Sequence, residues 1–264
     1  MANWETRFTK IMYEIASEEN ITITTFDDWA YCFEKEGKRA FVYGYQFGLD
    51  NGAVSGILKD KAAAYELMNK AGIKAVPHYC IMNPKFPEFS SLESSWEVML
   101  AYLEKYGQVV LKDNLGTGGR DVYLVKTKAE LEKAAHIIFE RASSAAVSPY
   151  VDIINEYRAV MLDGQIRLLF AKQRVDSWKH NLGQGSIPII MDENSAPCMI
   201  KDLARKAVDL FGLRFASVDI IETKEGFMIL EINGGVMMEN IAGTNGDLYE
   251  KAKGIYRDAI LKML

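Results

Sequence analysis

The sequence predicts an α+β fold built from antiparallel hairpins with helices between them. Strand-like apolar runs and amphipathic helical segments follow one another irregularly along the 264 residues, without the regular strand–helix–strand order of a doubly wound sheet. Two turn signals indicate hairpins: Asp163-Gly164 within YRAVMLDGQIRLLFAK, and a polar segment containing Gly226 within SVDIIETKEGFMILEIN. A break in the helical pattern predicts a division of the chain near residue 147.

Composition and charge favour a soluble globular protein. Hydrophobic residues make up 49% of the chain and charged residues 25%, and the net charge of -5 argues against nucleic acid as the main partner. The N-terminal segment has no apolar signal core, and no run is long enough to span a bilayer, so we expect no membrane partner. Cys32, Cys80 and Cys198 are widely spaced, which predicts neither a disulfide framework nor a zinc cluster and is typical of the reducing cytoplasm.

The first 80 residues predict helices separated by short strands. An amphipathic helix is predicted at the N-terminus by apolar residues at helical spacing, namely Trp4, Phe8, Ile11, Met12 and Ile15. The runs ITITTF and RAFVYGY predict two strands. The segment DKAAAYELMNKAG predicts a helix that ends at Gly72, and IKAVPHYCI predicts a strand.

Capping boxes mark the next two helices. SSLESSWEVMLAYLEKYG carries Ser90 and Glu93, and TKAELEKAAHIIFERA carries Thr127 and Glu130. Between them, QVVLKDNLGTGGRDVYLVK predicts two strands joined by a glycine-rich loop. We interpret SSAAVSPY as a connection, MIKDLARKAVDLFG as a helix, and the chain from about Gly246 as a final helix.

The hairpin at residues 217–233 brings two carboxylates face to face. If Thr223 pairs with Phe227, Asp219 lies opposite Glu231, and Asn233 shares the face of Glu231. The other face is predicted to enter the core through Val218, Ile220, Met228, Leu230 and Ile232. Opposed like charges destabilise a sheet, so one interpretation is a bound cation such as Mg2+, which prefers carboxylate and amide oxygens. A solvent-facing acidic edge is the alternative.

The glycine-rich loop follows Lys112 with Gly116, Thr117, Gly118, Gly119 and Arg120. Successive backbone N–H groups in such a loop can form an anion nest, although no Gly-Lys-Ser/Thr follows and a Walker A loop is excluded. A flexible hairpin loop is the alternative.

Single basic residues are equally compatible with surface charge. These are Lys61 at a helix start, and Arg174 and Lys179 before HNLGQGS. His78, His136 and His180 show no metal-ligand spacing, and no nucleophilic triad is evident.

The order of these features resembles the ATP-grasp superfamily. A helix-start lysine is followed by a strand lysine with a glycine loop, an acidic residue and an arginine on a strand, a basic segment, and a carboxylate hairpin ending in Glu-Ile-Asn. The resemblance covers roughly residues 55 to 240 and is closest to ribosomal-protein glutamate ligases, cyanophycin synthetase and D-alanine–D-alanine ligases. It implies an ATP-grasp fold with a shortened N-terminal region at 1–58, a small subdomain at 59–147 and a large subdomain at 148–264.

The resemblance implies an ATP site between the two subdomains. The nucleotide-binding residues that it implies are Lys61, Lys112, Gly116, Thr117, Gly118, Gly119, Tyr150, Val151, Glu156 and Asn181. Pro149 departs from the family pattern, because relatives carry an acidic residue at that position.

Metal, catalytic and substrate roles follow from the same resemblance. Mg2+, with Mn2+ as the alternative, would bind Asp219, Glu231 and Asn233. Lys179 would reach the phosphates and Arg174 would stabilise the reacting acyl group. The resemblance implies substrate contact or structural support for Arg158, and Arg120, Arg158 and Arg174 could each bind a carboxylate through two hydrogen bonds. Met237 and Glu239 lie in NGGVMMENIAG, which departs from the turn that relatives carry after the asparagine, so we expect them to shape the acceptor pocket, with core filling as the alternative.

The implied chemistry is ATP-dependent amide formation through an acyl phosphate, joining a small-molecule carboxylate and amine, with an amino acid or small peptide as substrate. The alternatives are a nucleotide-binding regulatory module and an enzyme that uses a non-amine acceptor. Sixty residues precede Lys61, where relatives have an N-terminal domain of about a hundred. We therefore expect a substrate site that is built differently or is completed by another subunit of a homo-oligomer.

Overall fold

Three antiparallel sheets form the framework of the described part of the protein. The computed structural model describes residues 6–27, 29–86, 95–172 and 188–264. The strands are β1 Thr22–Phe26, β2 Ala30–Lys35, β3 Lys38–Tyr43, β4 Gln46–Phe47, β5 Tyr79–Met82, β6 Val109–Asp113, β7 Val122–Val125, β8 Ser144–Pro149, β9 Asn155–Leu162, β10 Gln165–Lys172, β11 Pro188–Ile190, β12 Phe215–Thr223 and β13 Gly226–Asn233. The helices are α1 Arg7–Glu18, α2 Gly52–Lys59, α3 Lys61–Lys70, α4 Ser95–Tyr106, α5 Lys128–Phe139, α6 Cys198–Phe211, α7 Glu239–Ala242 and α8 Gly246–Leu261.

The N-terminal sheet is a meander in the order β1-β2-β3-β4. The sequence predicted β1 and β3 but missed the two-residue β4 and also β2, in which Tyr31, Cys32 and Phe33 are buried in succession. Three consecutive buried residues do not show the two-residue alternation of a half-exposed strand, so the pattern carried no strand signal. α1 buries Phe8 and Ile11 against this sheet; Trp4 lies outside the described residues.

The central sheet has the order β11-β10-β9-β12-β13 and is covered on both faces. Alternation along β9 sends Val160 and Leu162 to the core shared with α1 and α8, and Ala159 and Met161 to the core under α6. The predicted turn is confirmed: Asp163 and Gly164 join β9 to β10 with φ of 47° and 75°.

The small sheet has the order β5-β8-β6-β7, with α4 and α5 packed on its outer face. The interpretation of SSAAVSPY as a connection was wrong, because residues 144–149 form β8, an interior strand. Its short side chains have weak strand propensity, and their burial between β5 and β6 decides the structure. The Thr127–Glu130 capping box is confirmed, whereas Ser90 and Glu93 lie outside the described residues.

The β12–β13 hairpin keeps the predicted pairing of Asp219 with Glu231 but differs at its turn. Thr223 pairs with Gly226 rather than with Phe227, and a bulge next to Asp219 absorbs the extra residue. The bulge reverses the alternation along β13. Ile229 is therefore buried in the core, in place of the predicted Met228 and Leu230.

The predicted strand IKAVPHYCI divides into two parts. Ala75 bridges to Ile229 of the central sheet, and β5 pairs with β8 of the small sheet. Pro77 lies between the two parts and has no backbone N–H to continue a ladder. This segment links the small sheet to the edge of the central sheet.

Helix α3 belongs to the core of the central sheet. It buries Ala64 and Met68 in the cluster that also contains residues of β9, β12 and α6. The predicted small subdomain thus contributes a helix to the large one, and its predicted limit at residue 147 falls within β8. Among the helices of the described residues, none has the length and apolar character to cross a bilayer.

Tyr256 anchors the chain that follows β13. Its buried hydroxyl donates a hydrogen bond to Val236 O at 2.7 Å and accepts one from Met238 N at 2.9 Å. Replacing it by phenylalanine leaves both buried backbone groups without that partner, so we expect Tyr256→Phe to lower the free energy of unfolding by about 1–3 kcal/mol. Urea denaturation measures this value. The control Tyr43→Phe removes a hydroxyl from a 71% exposed side chain, and an equal effect of both variants would contradict the prediction.

Candidate active site

A cavity of about 550 Å3 lies where the small sheet, the central sheet and the N-terminal region meet. The inner face of the small sheet forms one wall. Pairing of Val110 with Ser148 and of Lys112 with Val122 places all four side chains on that face, and each lines the cavity. The alternate residues Val109, Leu111 and Val147 face the opposite core.

Four charged side chains of the central sheet form the floor of the cavity. Register places Arg158 beside Asp219 and Lys172 beside Glu156. Arg158 donates from Nε to Asp219 Oδ1 at 2.6 Å and from Nη2 to Oδ2 at 2.5 Å. The Lys172 ammonium contacts the Glu156 carboxylate and lies 3.4 Å from Asp219 Oδ2.

Burial and pairing change the proton affinities of this group. Burial alone would raise the pKa of Asp219, but the charges of Arg158 and Lys172 hold it well below its usual range. The acidic partners outweigh burial at Arg158 and raise its pKa. At Glu156 burial dominates over the neighbouring Lys172 and raises the pKa to about 7.

Glu231 and Asn233 lie on the cavity side of β13. Asn233 Nδ2 donates to Glu231 Oε1 at 3.2 Å, so the amide is oriented by the carboxylate. No cluster of three His, Cys, Asp or Glu side chains suited to a metal occurs in the described parts of the chain. Asp219, Glu231 and Asn233 are nevertheless a hard oxygen donor set of the kind that suits Mg2+, and both oxygens of Asp219 already accept from Arg158.

Lys61 connects the start of α3 to the glycine-rich loop. Its ammonium donates to Asn114 O at 3.1 Å and to Gly116 O at 2.5 Å. The N-cap Asp60 accepts from Ala63 N at 2.9 Å and from Asn114 Nδ2 at 2.9 Å. Burial lowers the pKa of Lys61. The lysine is therefore already oriented toward the loop by backbone carbonyls.

The loop requires glycine at specific positions. A Cβ at Gly116 would lie 2.9 Å from Asp113 Cβ, and Gly118 adopts a φ of +70°. Gly116, Thr117, Gly118, Gly119 and Arg120 all line the cavity. On the adjacent strand, burial lowers the pKa of Lys112 to about 8, although Glu231 opposes the shift.

The segment that follows β8 connects the small sheet to β9 of the central sheet, and we call it the hinge. Tyr150 and Val151 line the cavity directly after Pro149. Tyr150 N donates to Gln108 O at 3.1 Å, which holds the start of the hinge against the small sheet.

The residues predicted to bind substrate fall into two groups in the structure, those that line the cavity and those whose side chains are engaged by other residues. Arg120 and Met237 line the cavity. Arg158 also reaches it, but both of its donors to Asp219 are engaged, so its observed role is structural. Glu239 must be corrected: its carboxylate accepts from Arg7 N at 2.8 Å and Phe8 N at 2.9 Å. The positive end of the α1 dipole attracts this carboxylate, which caps the helix instead of facing the cavity.

Three predicted residues lie outside the described part of the chain. These are Arg174, Lys179 and Asn181, all within residues 173–187. Their predicted roles at the phosphates and the reacting group stay predictions.

Sequence reasoning missed cavity residues that come from distant segments. Tyr45 and Gln46 of the N-terminal region line the cavity, held by the Gln46–Gly235 bridge and by Val236 N donating to Tyr45 O at 3.0 Å. The position of Lys172 in the sheet could have been predicted by counting from the Asp163-Gly164 turn, but its partner on β9 would then have been wrong by one residue. A bulge between Ile166 and Leu168 shifts its partner to Glu156.

Known structures share this architecture. The D-alanine–D-alanine ligase from Bacillus anthracis in complex with ATP superposes with a TM-score of 0.57 at 18% identity, covering 81% of this chain and 66% of that one. This similarity shows that the two chains share a fold.

Curated relatives show similarity in sequence. The tetrahydromethanopterin:alpha-L-glutamate ligase of Methanocaldococcus jannaschii is 26% identical over 141 residues, which is 51% of this chain and 47% of that protein. A probable alpha-L-glutamate ligase of Pasteurella multocida is 27% identical over 195 residues, which is 71% of this chain and 56% of that protein. The chain therefore spans about half the length of these relatives. Residues 58–251 match the RimK-like ATP-grasp domain, and because this match extends over well more than half of the chain, the protein belongs to that family.

Proposed function

We propose that the protein is an ATP-dependent, ADP-forming carbon–nitrogen ligase that joins a carboxylate to an amine. One observation carries the proposal: Lys61, Lys112 and a glycine-rich loop face Glu231 and Asn233 across a single cavity. Cationic and backbone donors on one side and oxygen ligands on the other are what a metal-bound triphosphate requires. ATP-grasp proteins use ATP with a divalent metal, which supports the same assignment.

The reaction proceeds in two balanced steps. A substrate carboxylate oxygen attacks the γ-phosphorus, the bond to the β-bridging oxygen breaks, and ADP leaves, giving an acyl phosphate. An amine nitrogen then attacks the acyl carbon, the carbon–phosphate oxygen bond breaks, and phosphate and one proton are released with the amide. Phosphoryl transfer depends on positioning and charge stabilisation, so no side-chain nucleophile is needed.

The residues of the cavity divide this work. Lys61 and Lys112 supply positive charge for the phosphates, and Gly116 to Gly119 supply backbone donors over them. Glu231, Asn233 and Asp219 would hold Mg2+, or Mn2+, which neutralises phosphate charge when bound. The acyl phosphate is sensitive to water, so closure of the loop over the cavity would protect it.

The substrate is proposed to be an amino acid or a small peptide. Tyr45, Gln46 and Asn240 bring polar groups to the lining of the cavity, which also includes Met237. Arg120, which lies in the glycine-rich loop, can bind a substrate carboxylate. Both curated relatives are named as glutamate ligases, which supports an amino-acid substrate. Tyr45 and Gln46 belong to the protein's own N-terminal region. A homo-oligomer in which another subunit completes the substrate site stays a prediction.

The proposed location is the cytoplasm. Cys32, Cys80 and Cys198 are all free thiols in the structure, and a reducing compartment keeps them so.

Glu231 provides the direct test of the proposal. We expect the parent protein to release ADP from Mg-ATP with the correct carboxylic acid, and hydroxylamine to trap the acyl phosphate as a hydroxamate. Glu231→Ala should lower this rate at least about a hundredfold, because it removes an oxygen ligand at the developing charge. Coupled ADP detection and hydroxamate colorimetry, with pools of amino acids and peptides, measure both products.

Glu225→Ala is the matched control, since Glu225 is an exposed carboxylate in the turn of the same hairpin. Equal rates in the two variants would contradict the role of Glu231. Nucleotide binding without a product in any pool would favour the regulatory module, and a phosphorylated product without hydroxamate would favour a non-amine acceptor.

The lowered pKa of Lys112 leads us to expect that nucleotide binding depends on pH. The pKa of about 8 leaves Lys112 charged below that pH and neutral above it, and phosphate stabilises only the charged form. We expect the affinity for ATP to fall several-fold from pH 7 to pH 9. Lys112→Arg stays charged over this range and should remove the dependence. Calorimetry at each pH measures the affinity, and an unchanged slope in this variant would disprove the role of Lys112.

A further inference from the structure

His78 has a buried polar atom without a partner at the wall of the cavity. The side chain is 7% exposed, lines the cavity and follows Pro77 just before β5. Its Nδ1 lies 2.8 Å from Val76 O, whereas Nε2 has no hydrogen-bond partner among the described residues. A buried polar atom without a partner is costly, so a ligand that supplies one would bind favourably here.

The surroundings of His78 determine which kind of partner Nε2 can take. A carbonyl oxygen only accepts, so the proton of the neutral ring must lie on Nδ1, facing Val76 O. Burial and the charges of Lys112 and Lys61 lower the pKa of His78, which keeps the ring neutral. Nε2 therefore presents a lone pair and requires a donor.

The walls next to Nε2 suit a flat aromatic ring. Pairing of Tyr79 with Val147 places His78 beside Ser148, at the end of β8 where the hinge begins. Val110, which pairs with Ser148, and Val122 line the cavity from the small sheet, and Ile221 and Leu230 line it from the central sheet. Apolar side chains from two facing sheets, with a polar acceptor beside them, are typical of a site that binds a nucleobase by stacking and a directed hydrogen bond.

We propose that His78 Nε2 accepts a hydrogen bond from the 6-amino group of adenine and so makes the site selective for ATP. Guanine carries a carbonyl oxygen at that position, which would place two acceptors against each other. A purine without the amino group leaves Nε2 without a partner. The inference rests on the proposed function only in requiring a nucleotide in this cavity, and it assigns no role in the chemical step.

The first experiment needs no variant. Calorimetric titration of the parent protein with ATP, purine riboside triphosphate and GTP, each with Mg2+, compares three bases on one triphosphate. We expect ATP to bind roughly two- to tenfold more tightly than purine riboside triphosphate, the ratio expected for one neutral hydrogen bond, and GTP to bind more weakly still.

The second experiment assigns the discrimination to His78. His78→Leu should lower the affinity for ATP to that for purine riboside triphosphate, so the ratio between the two ligands approaches one. His78→Gln places an amide oxygen near the position of Nε2 and should restore part of the ratio. His136→Leu changes an exposed histidine on α5 and should leave the ratio unchanged. Since the readout is a ratio within one protein, a general loss of stability does not reproduce it.

The outcomes separate this inference from the proposed function. Equal binding of ATP and purine riboside triphosphate by the parent would overturn the role of His78 and leave the nucleotide site intact. A ratio retained in His78→Leu would transfer selectivity to the hinge backbone and overturn the inference as well. No binding of any triphosphate would overturn the proposed function and this inference together.

Discussion

The pairing of Arg158 with Asp219 is the interaction on which the site depends. The two residues lie on neighbouring central strands, and both oxygens of a carboxylate that is 1% exposed accept from the guanidinium. An unpaired charge at this depth would cost about 3–5 kcal/mol, so the pair is needed for the central sheet to carry a carboxylate into the cavity at all. Lys172 and Glu156 extend the same network, which leaves Glu231 and Asn233 as the less engaged oxygen donors beside it.

The division of the central sheet face into two regions follows from this arrangement. Along β9, alternate residues change from Glu156 and Arg158 to Val160 and Leu162, so one end of the face opens to the cavity and the other packs under α1 and α8. The N-terminal region contributes to both parts of this face. Its apolar residues cover the core, and Tyr45 and Gln46 complete the cavity wall.

Local signals in the sequence predicted features that depend on residues close together in the chain. The Asp163-Gly164 turn and the Thr127–Glu130 capping box need only the residues around them, and each is present. The pairing of Asp219 with Glu231 is present as well, but there a bulge next to Asp219 offsets a turn that is one residue shorter than predicted. Features that depend on distant contacts were missed or misplaced. β8 has a sequence with weak strand propensity and becomes a strand because β5 and β6 enclose it, and Glu239 turns toward α1 because the start of that helix lies beside it in space.

The sequence by itself determined the family, the order of the charged and glycine-rich segments, and the opposition of two carboxylates across a hairpin. The tertiary structure decided which of those charges are available to a ligand. Both donors of Arg158 toward Asp219 are engaged, a bulge brings Lys172 opposite Glu156, and His78 is buried in the lining of the cavity with its Nε2 unpartnered among the described residues. Burial, strand register and the direction of a side chain arise from contacts between residues far apart in the chain, and local propensity does not specify those contacts.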